Sequence, residues 1–346
     1  MKRKKYILLS CMLFLCFSAF ITIKTPLFRK PPNWPEPAYD FSKNPLSERK
    51  IQLGRILFYD PILSRNNTIS CSSCHLQYTA FTHVDHALSH GIEDRIGTRN
   101  SPALVNLAWH KSFMWDGSIN HLDMQALAPM SNPSEMDESI DKIVHKLQGT
   151  TLYPKLFYEA FDDSIITGEY VLKSIAQFML TIVSANSKYD SVMRNQATFT
   201  LQENNGYILF KKHCAVCHTE PLFTNLQFEN NGLEVDSTLK DYGRMLITNR
   251  SEDSITFKVP TLRNIEFSYP YMHDGRFKKL NDVLKHYTTG IHASKTLSKY
   301  LKDPIVLSSN DKVDLVTFLL TLTDKHFLFD PQYSYPRSVF YPDSKK

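Results

Sequence analysis

The sequence contains two short motifs in which a histidine directly follows a spaced pair of cysteines. Residues 71–75 are Cys-Ser-Ser-Cys-His, and residues 214–218 are Cys-Ala-Val-Cys-His. In a C-x-x-C-H motif the two thiols can add across the vinyl groups of a haem, and the adjoining imidazole then lies under the ring as an iron ligand. We therefore predict two covalently attached c-type haems. Their attachment residues are Cys71, Cys74, Cys214 and Cys217, and their proximal iron ligands are His75 and His218.

Other cysteine chemistries explain less of this pattern. A single C-x-x-C pair is also compatible with half a zinc site or with a redox-active dithiol. Here both pairs are followed by histidine, and the remaining cysteines, Cys11 and Cys16, lie in the apolar N-terminal stretch. A four-thiolate zinc site would leave both histidines without a role.

The N-terminus predicts export from the cytoplasm. Residues 2–5 are all basic, and an uncharged run follows from Tyr6 to Ile23. This order is typical of a signal peptide or of an N-terminal membrane anchor, and the length of the run lies between the two. We predict a signal peptide or anchor at 1–24, a Pro-rich linker that acts as a stiff spacer at 25–44, and a periplasmic body that is either free or anchored to the inner membrane.

Charge and composition exclude several classes of protein. The formal net charge is +5, but five of the 40 basic residues lie in 1–24, so residues 25–346 carry 35 basic and 35 acidic side chains. A neutral body argues against nucleic acid as a partner. The 11 glycines among 346 residues disfavour glycine-rich phosphate loops. A chain of this length is long enough for two domains.

The second half of the chain repeats the first. Pro102-Ala-Leu-Val-Asn106 matches Pro260-Thr-Leu-Arg-Asn264, and Met114-Trp-Asp-Gly117 matches Met272-His-Asp-Gly275, both with an offset of 158 residues. Such a repeat indicates a duplicated structural unit. We predict a mostly α fold of two cytochrome-c-like haem domains related by internal duplication. The domains span residues 45–198 and 199–330, and a tail follows at 331–346.

The apolar spacing is helical in several segments, and strand-like alternation is scarce. The predicted helices are 46–58, 139–147, 169–184, 201–212, 280–287 and 312–322. Gly54 and Gly206 occupy matching positions in the helix before each haem motif. Because both copies carry glycine, we predict that a second helix approaches closely there, rather than that the glycines only fray the helix ends.

These motifs resemble the bacterial dihaem cytochrome c peroxidases and their relatives that mature methylamine dehydrogenase. The resemblance covers roughly residues 46–322 and rests on the haem motifs together with the segments 99–117, 125–136, 258–264 and 273–276. It implies reduction of hydrogen peroxide to water with electrons from a small cytochrome c or cupredoxin. The haem on His75 would be the peroxide site, and the haem on His218 would receive the electrons. Homodimers are common in such enzymes.

The same resemblance implies roles for Gln125, Glu135 and Trp115. Cleavage of a peroxide requires a proton to move from one oxygen to the other, which a carboxyl such as Glu135 can perform while the Gln125 amide donates a hydrogen bond. Residues 132–135 are also typical of a helix start, and we expect the two interpretations of Glu135 to be compatible. Trp115 would relay electrons between the haems; the alternative is a core aromatic residue.

The distal iron ligands are less clearly marked. On the first haem His90 is the candidate, with His83 and His86 as competitors. On the second haem the peroxidases use methionine, whereas this chain and the maturation relatives carry tyrosine, here Tyr287. A phenolate ligand would stabilise ferric iron and lower the haem potential. The alternative is that Tyr287 packs against the haem edge.

The resemblance also implies a calcium ion between the domains, with Asn100, Ser268 and Pro270 at the matching positions and hard oxygen ligands suited to that ion.

Two other functions compete with the peroxidase. A dihaem oxidase would use a high-valent state shared by both haems on a protein or organic substrate, and Tyr287 favours it. A dihaem electron carrier is disfavoured because a carrier needs neither Gln125 nor Glu135.

Overall fold

The computed structural model describes residues 26–342 and is mostly helical, as predicted. The α-helices are α1 (Glu48–Tyr59), α2 (Cys71–Cys74), α3 (Leu122–Gln125), α4 (Leu127–Ser131), α5 (Ile140–Gln148), α6 (Tyr153–Phe161), α7 (Gly168–Thr181), α8 (Lys188–Met193), α9 (Leu201–His213), α10 (Met245–Thr248), α11 (Leu280–Thr289), α12 (Ser309–Leu320), α13 (Lys325–Phe329) and α14 (Arg337–Phe340). Short 3-10 helices span Pro61–Leu63, Gln77–Thr79, Ile92–Asp94, Leu107–Trp109, Ser251–Asp253, Lys299–Leu301 and Pro331–Tyr333. The strands of the described chain are β1 (Phe228–Glu229) and β2 (Phe257–Lys258), which pair antiparallel.

Two pairs of closely packed helices position the haem motifs. Helix α1 packs on α7 in the first half, and α9 packs on α12 in the second. A Cβ atom added to Gly54 would lie 1.8 Å from the carbonyl oxygen of Ser174, and one added to Gly206 would lie 2.0 Å from that of Asp314. Both distances are far below van der Waals contact, so only glycine fits. The prediction of a close helix approach is confirmed in both halves.

The two matching asparagines of the repeat anchor the ends of these helix pairs in the same way. Asn106 and Asn264 both have φ of 59°, a left-handed conformation that asparagine tolerates better than most residues. The Asn106 side-chain oxygen accepts the backbone N–H of Ser184 at 3.0 Å, and that of Asn264 accepts the N–H of Asp324 at 2.8 Å. The sequence repeat is therefore accompanied by equivalent backbone contacts.

The Pro-rich segment at 25–44 lies against the body, so the part of it that the structure describes does not act as a spacer. Trp34 is buried, and its ring meets that of Trp109 edge-on at 4.8 Å. Trp109 Nε1 donates to the carbonyl of Pro35 at 2.8 Å. The guanidinium of Arg263, from the second half, lies 4.7 Å from the Trp34 ring centroid. The free energy gained by burying the Trp34 ring holds this segment against the body, although its prolines favour an extended spacer.

The C-terminal segment returns to the first half. The Tyr59 hydroxyl donates to the carbonyl of Tyr333 at 2.7 Å, and the Tyr333 hydroxyl donates to that of Thr181 at 2.7 Å. The rings of Phe327 and Tyr333 lie 6.0 and 6.3 Å from the ring of Phe81. The end of the chain therefore backs the loop that follows the first haem motif.

The apolar core consists of a larger cluster in the first half and a smaller one in the second. Between residues 26 and 342, no helix combines the length and apolar character needed to cross a membrane. The predicted signal peptide or anchor at 1–24 lies outside the described residues.

Candidate haem-binding and catalytic site

The first haem motif is a single helical turn followed by a tightly held histidine. Helix α2 presents both cysteines, and the His75 backbone N–H donates to the carbonyl of Cys71 at 3.0 Å. His75 Nδ1 lies 2.7 Å from the carbonyl oxygen of Phe81. Because a carbonyl can only accept, Nδ1 carries the proton and Nε2 keeps the lone pair that an iron ligand requires.

The second motif repeats this arrangement at the end of α9. The His218 N–H donates to the carbonyl of Cys214 at 2.9 Å. His218 Nδ1 lies 3.2 Å from the carbonyl oxygen of Phe223 and 3.1 Å from that of Pro260. Burial lowers the pKa of His75 and of His218 to about 4, so both imidazoles are neutral at physiological pH, as metal binding demands.

The four motif cysteines are free thiols, and each residue is half-buried. Burial raises the pKa of Cys71 and Cys214 to about 12, and burial with nearby negative charge raises that of Cys74 and Cys217 to about 11. A redox-active dithiol needs a lowered pKa instead. Within residues 26–342 no three or more His, Cys, Asp or Glu side chains converge as metal ligands. The donor set fits covalent haem attachment better than zinc or dithiol chemistry.

Glu135 lies beside the first motif. Asn132 Nδ2 donates to Glu135 Oε1 at 2.7 Å and so fixes the carboxyl. The Glu135 carbonyl accepts the N–H of Ile92 at 2.7 Å, and the carbonyl of His90, two residues before Ile92, accepts Cys74 Sγ at 3.5 Å, so Glu135 lies on a turn next to the loop that contacts the motif. The charge of Glu135 adds to burial in raising the pKa of Cys74. Burial also raises the pKa of Glu135 above its ordinary value. A protonated carboxyl is therefore held at this motif at a higher pH than in solution.

The helix start predicted at Asn132–Glu135 is wrong. These residues form a turn between α4 and α5. Helix α5 begins at Ile140, and the Ser139 side chain caps it by accepting the N–H of Lys142. Ser139 is the stronger capping signal because its hydroxyl reaches the third helical N–H. Glu135 is mounted on a turn stabilised by Asn132.

Gln125 and Trp115 lie on neighbouring parts of the same half. Gln125 ends α3, and its Nε2 lies 3.7 Å from Met114 Sδ. Trp115 Nε1 donates to the carbonyl of Asn100 at 2.8 Å, and the Trp115 carbonyl accepts the N–H of Lys258 at 2.7 Å. Trp115 therefore lies where the first half meets the second.

Tyr287 faces the second motif from α11. Burial raises its pKa to about 12; a hydrogen bond with Asn231 acts in the opposite direction, and the thiols of Cys214 and Cys217 add to the increase. These interactions place the phenol near both attachment cysteines. The structure thus brings Tyr287 to the second haem motif, as an axial ligand or an edge-packing residue would require.

The three candidate distal ligands, His90, His86 and His83, form a stack of rings beside the first motif. Ring centroids are 4.0 Å apart for His86 and His90 and 5.3 Å apart for His83 and His86. His90 Nδ1 lies 2.6 Å from Asp94 Oδ1, and the His90 carbonyl accepts Cys74 Sγ at 3.5 Å. The loop that carries His90 thus lies against the first motif.

The residues matched to a calcium site lie on segments that are in contact. Asn100 is buried, and its Nδ2 donates to the carbonyl of Ala87 at 3.0 Å. Its backbone N–H donates to the carbonyl of His273 at 2.7 Å, close along the chain to Ser268 and Pro270.

One charged cluster at the boundary was not predicted. Arg99 donates to Asp241 at 2.6 and 2.9 Å and to Asp116 at 2.6 Å. Arg99 and Asp116 lie within the segment that carries the family resemblance, but no motif marks Asp241. The bidentate geometry makes this a strong link between the halves.

Comparison with known proteins agrees with this geometry. Residues 48–198 match the sequence model of the family described as di-haem cytochrome c peroxidase. The chain is 34% identical to methylamine utilization protein MauG of Methylorubrum extorquens, over 85% of this chain and 83% of that protein. It is 32% identical to cytochrome c551 peroxidase of Nitrosomonas europaea, over 79% of each chain.

A solved structure is also similar over nearly the whole described chain. It is that of a MauG-like protein associated with microbial copper homeostasis, with a TM-score of 0.81, 32% identity, and coverage of 89% of this chain and 98% of that one. The sequence motifs, their geometry and these relatives agree, and the chain belongs to the di-haem cytochrome c peroxidase family, which includes MauG.

Proposed function

We propose that the protein is a periplasmic peroxidase that reduces hydrogen peroxide to water with electrons from a small cytochrome c or cupredoxin. The observation that carries the proposal is a half-buried carboxyl, Glu135, which Asn132 holds beside the first Cys-x-x-Cys-His motif and whose pKa is raised. When bound, two covalent haems supply the redox chemistry. The names of the relatives support the same reaction class.

The side chains divide the proton chemistry between them. Glu135 accepts a proton from one peroxide oxygen and returns it to the other, and Asn132 keeps the carboxyl in position at 2.7 Å. Gln125 donates a hydrogen bond to the departing oxygen. An electron carrier has no need of this arrangement, which disfavours the dihaem carrier as an alternative.

The proposal is tested by mixing hydrogen peroxide with reduced cytochrome c or reduced cupredoxin and the haem-loaded protein. We expect oxidation of two one-electron donors for each peroxide consumed. Donor oxidation that is no faster than without the protein would contradict the proposal. The same assay identifies which donor is accepted.

We propose that His218 would hold the haem that receives electrons, that His75 would hold the haem that reacts with peroxide, and that Trp115 would lie on the path between them. Support comes from the position of Trp115 at the boundary, where its indole and its carbonyl are both hydrogen-bonded.

We also propose that the chain is divided into two haem domains, at 45–198 and 199–330, and that these domains arose by duplication. The equivalent contacts of Asn106 and Asn264 support that origin.

A calcium ion at Asn100, Ser268 and Pro270 belongs to the same proposal. The contact between Asn100 and the segment ending at His273 supports it. A homodimer and an N-terminal membrane anchor are proposed on the resemblance and on the basic, apolar N-terminus.

Tyr287 favours a second candidate function, a dihaem oxidase that acts on a protein or organic substrate through a high-valent state shared by the haems. A phenolate stabilises oxidised iron, whereas methionine raises the potential. The relative named MauG fits this alternative as well. The two functions differ in the source of the electrons that reduce peroxide. A peroxidase takes them from a small redox protein, whereas the oxidase takes them from the protein or organic molecule that it oxidises.

We expect Tyr287→Phe to change the optical and paramagnetic resonance spectra of the second haem alone and to raise its midpoint potential, because the phenolate is lost. Spectroelectrochemistry measures both effects. Tyr300→Phe, at a tyrosine that is 46% exposed, is the matched control. An unchanged spectrum of the second haem would show that Tyr287 is not a ligand.

A further inference from the structure

Lys258 occupies in the second half the position that Asn100 occupies in the first, at the same offset of 158 residues as the rest of the repeat. The two backbones make reciprocal contacts across the boundary. Asn100 N–H donates to the carbonyl of His273, and Lys258 N–H donates to that of Trp115, both at 2.7 Å. His273 and Trp115 are themselves equivalent positions in the repeat.

The side chains at these equivalent positions differ. Lys258 Nζ donates to the carbonyl of Ser112 at 2.7 Å and lies 5.7 Å from the ring centroid of Phe113. Both acceptors belong to the segment that carries Trp115. An ammonium group from the second half is therefore attached to the Trp115 segment of the first half.

The charged groups around this ammonium leave it largely uncompensated. Burial lowers the pKa of Lys258 to about 8, and the charge of Asp116 acts in the opposite direction. Asp116 is already bound to Arg99 at 2.6 Å. Burial and the Lys258 charge lower the pKa of His110, which is therefore neutral. In the described chain, no carboxylate oxygen lies within 4.0 Å of Lys258 Nζ.

The same short segment also reaches the second haem motif. Lys258 is two residues before Pro260, whose carbonyl accepts His218 Nδ1 at 3.1 Å. The segment therefore bonds to Trp115 at one end and to a proximal histidine at the other. A fixed positive charge on it acts on both, because charges in a low-dielectric boundary interact strongly.

We propose that Lys258 is a positioning residue that supplies a built-in cation to the electron path through Trp115. Lys258 fills the position equivalent to Asn100, where a calcium ion is proposed, so each half would have one cation at this position. The comparison of the ammonium group with calcium rests on the proposed function. Positive charge disfavours the oxidised forms of the neighbouring redox groups. Lys258 therefore raises their potentials and keeps oxidising equivalents from remaining on Trp115.

The experiment compares three substitutions in the haem-loaded protein. Lys258→Gln keeps a donor for the Ser112 carbonyl but removes the charge, Lys258→Arg keeps the charge, and Lys258→Met removes both. Exposed Lys295→Gln is the matched control. Midpoint potentials of both haems are measured by spectroelectrochemistry without peroxide or donor, and the calcium content is measured on the same samples.

We expect the second haem to become harder to reduce in Lys258→Gln and Lys258→Met by about tenfold in the redox equilibrium, which is 59 mV for one electron. Lys258→Arg and Lys295→Gln should match the wild type. Equal potentials in Lys258→Gln and the wild type would overturn the proposal. Failure of the peroxidase or the calcium proposal would leave the difference in midpoint potential between these variants unaffected, because the potentials are measured without peroxide or donor.

A second measurement, the pH dependence of the midpoint potential in the wild-type protein, does not require that Lys258→Gln folds. Wild-type Lys258 loses its proton as the pH rises through about 8, so the potential of the second haem should fall over that range. The pKa of His110 is lowered, so His110 stays neutral over this range, and the pKa of Arg99 is raised, so Arg99 stays charged. The same fall should be absent in Lys258→Arg, and its persistence there would contradict the assignment.

Discussion

Glu135→Gln is expected to reduce peroxide turnover by about 10²–10⁴-fold while both haems remain attached, since this is the range that a positioned acid–base group contributes. The glutamine carbonyl can still accept the Asn132 hydrogen bond, so the turn should keep its shape. Turnover is measured with a reduced donor, and haem attachment by mass spectrometry.

Glu135→Gln should lower turnover but should not lower the free energy of unfolding. Burial raises the pKa of Glu135 in the folded protein, so the free energy of unfolding is highest below the unfolded pKa and falls as the pH rises through the folded one. Because glutamine does not ionise, the Glu135→Gln variant should lack this decrease in the free energy of unfolding. Denaturant unfolding at several pH values shows whether the variant is at least as stable as the wild type near pH 7.

Glu93→Gln is a suitable control, because Glu93 is exposed and pairs with Arg65 and Arg95. It should retain full turnover. Undiminished turnover in Glu135→Gln would remove the acid–base role. Loss of turnover in both variants would point to a general disturbance of this surface.

Gly54→Ala and Gly206→Ala are each expected to destabilise the protein by about 3 kcal/mol, at the upper end of overpacking effects. The added methyl would lie 1.8 or 2.0 Å from a backbone carbonyl oxygen, which cannot rotate away as a side chain could. The helices must separate, and the haem motif after each helix would shift. Thermal unfolding followed by circular dichroism measures the loss.

Gly149→Ala is the control for these substitutions. A Cβ there would lie 3.5 Å from its nearest neighbours, which is ordinary contact, so the variant should unfold at nearly the wild-type temperature. Equal unfolding temperatures for all three variants would refute the close packing at Gly54 and Gly206.

The sequence predicted the parts of this protein whose chemistry is local. Cysteine spacing located both haem motifs, and the repeated glycines located the tightest helix contacts. The predicted helices before the motifs end within one residue of α1 and α9. These features depend on neighbours in the chain or on a repeat that can be counted.

Features that depend on distant contacts were missed. The Pro-rich segment resembled a spacer until Trp34 was seen to pack on Trp109 and Arg263. The turn at Glu135 resembled a helix start, but its carbonyl accepts the N–H of Ile92 at 2.7 Å, a contact that the local sequence does not indicate. Nothing near Asp241 in the chain signals its pairing with Arg99. In each case tertiary packing decided between locally acceptable structures.

The aromatic backing of Phe81 has a consequence for biosynthesis. Phe327 and Tyr333 follow both Cys-x-x-Cys-His motifs in the chain, yet they pack behind the loop whose Phe81 carbonyl accepts a hydrogen bond from His75. The motif that is synthesised first is therefore completed only after the second motif has been made. A chain interrupted between the second motif and Phe327 would carry Cys71, Cys74 and His75 and still lack the aromatic residues that hold the Phe81 loop in place.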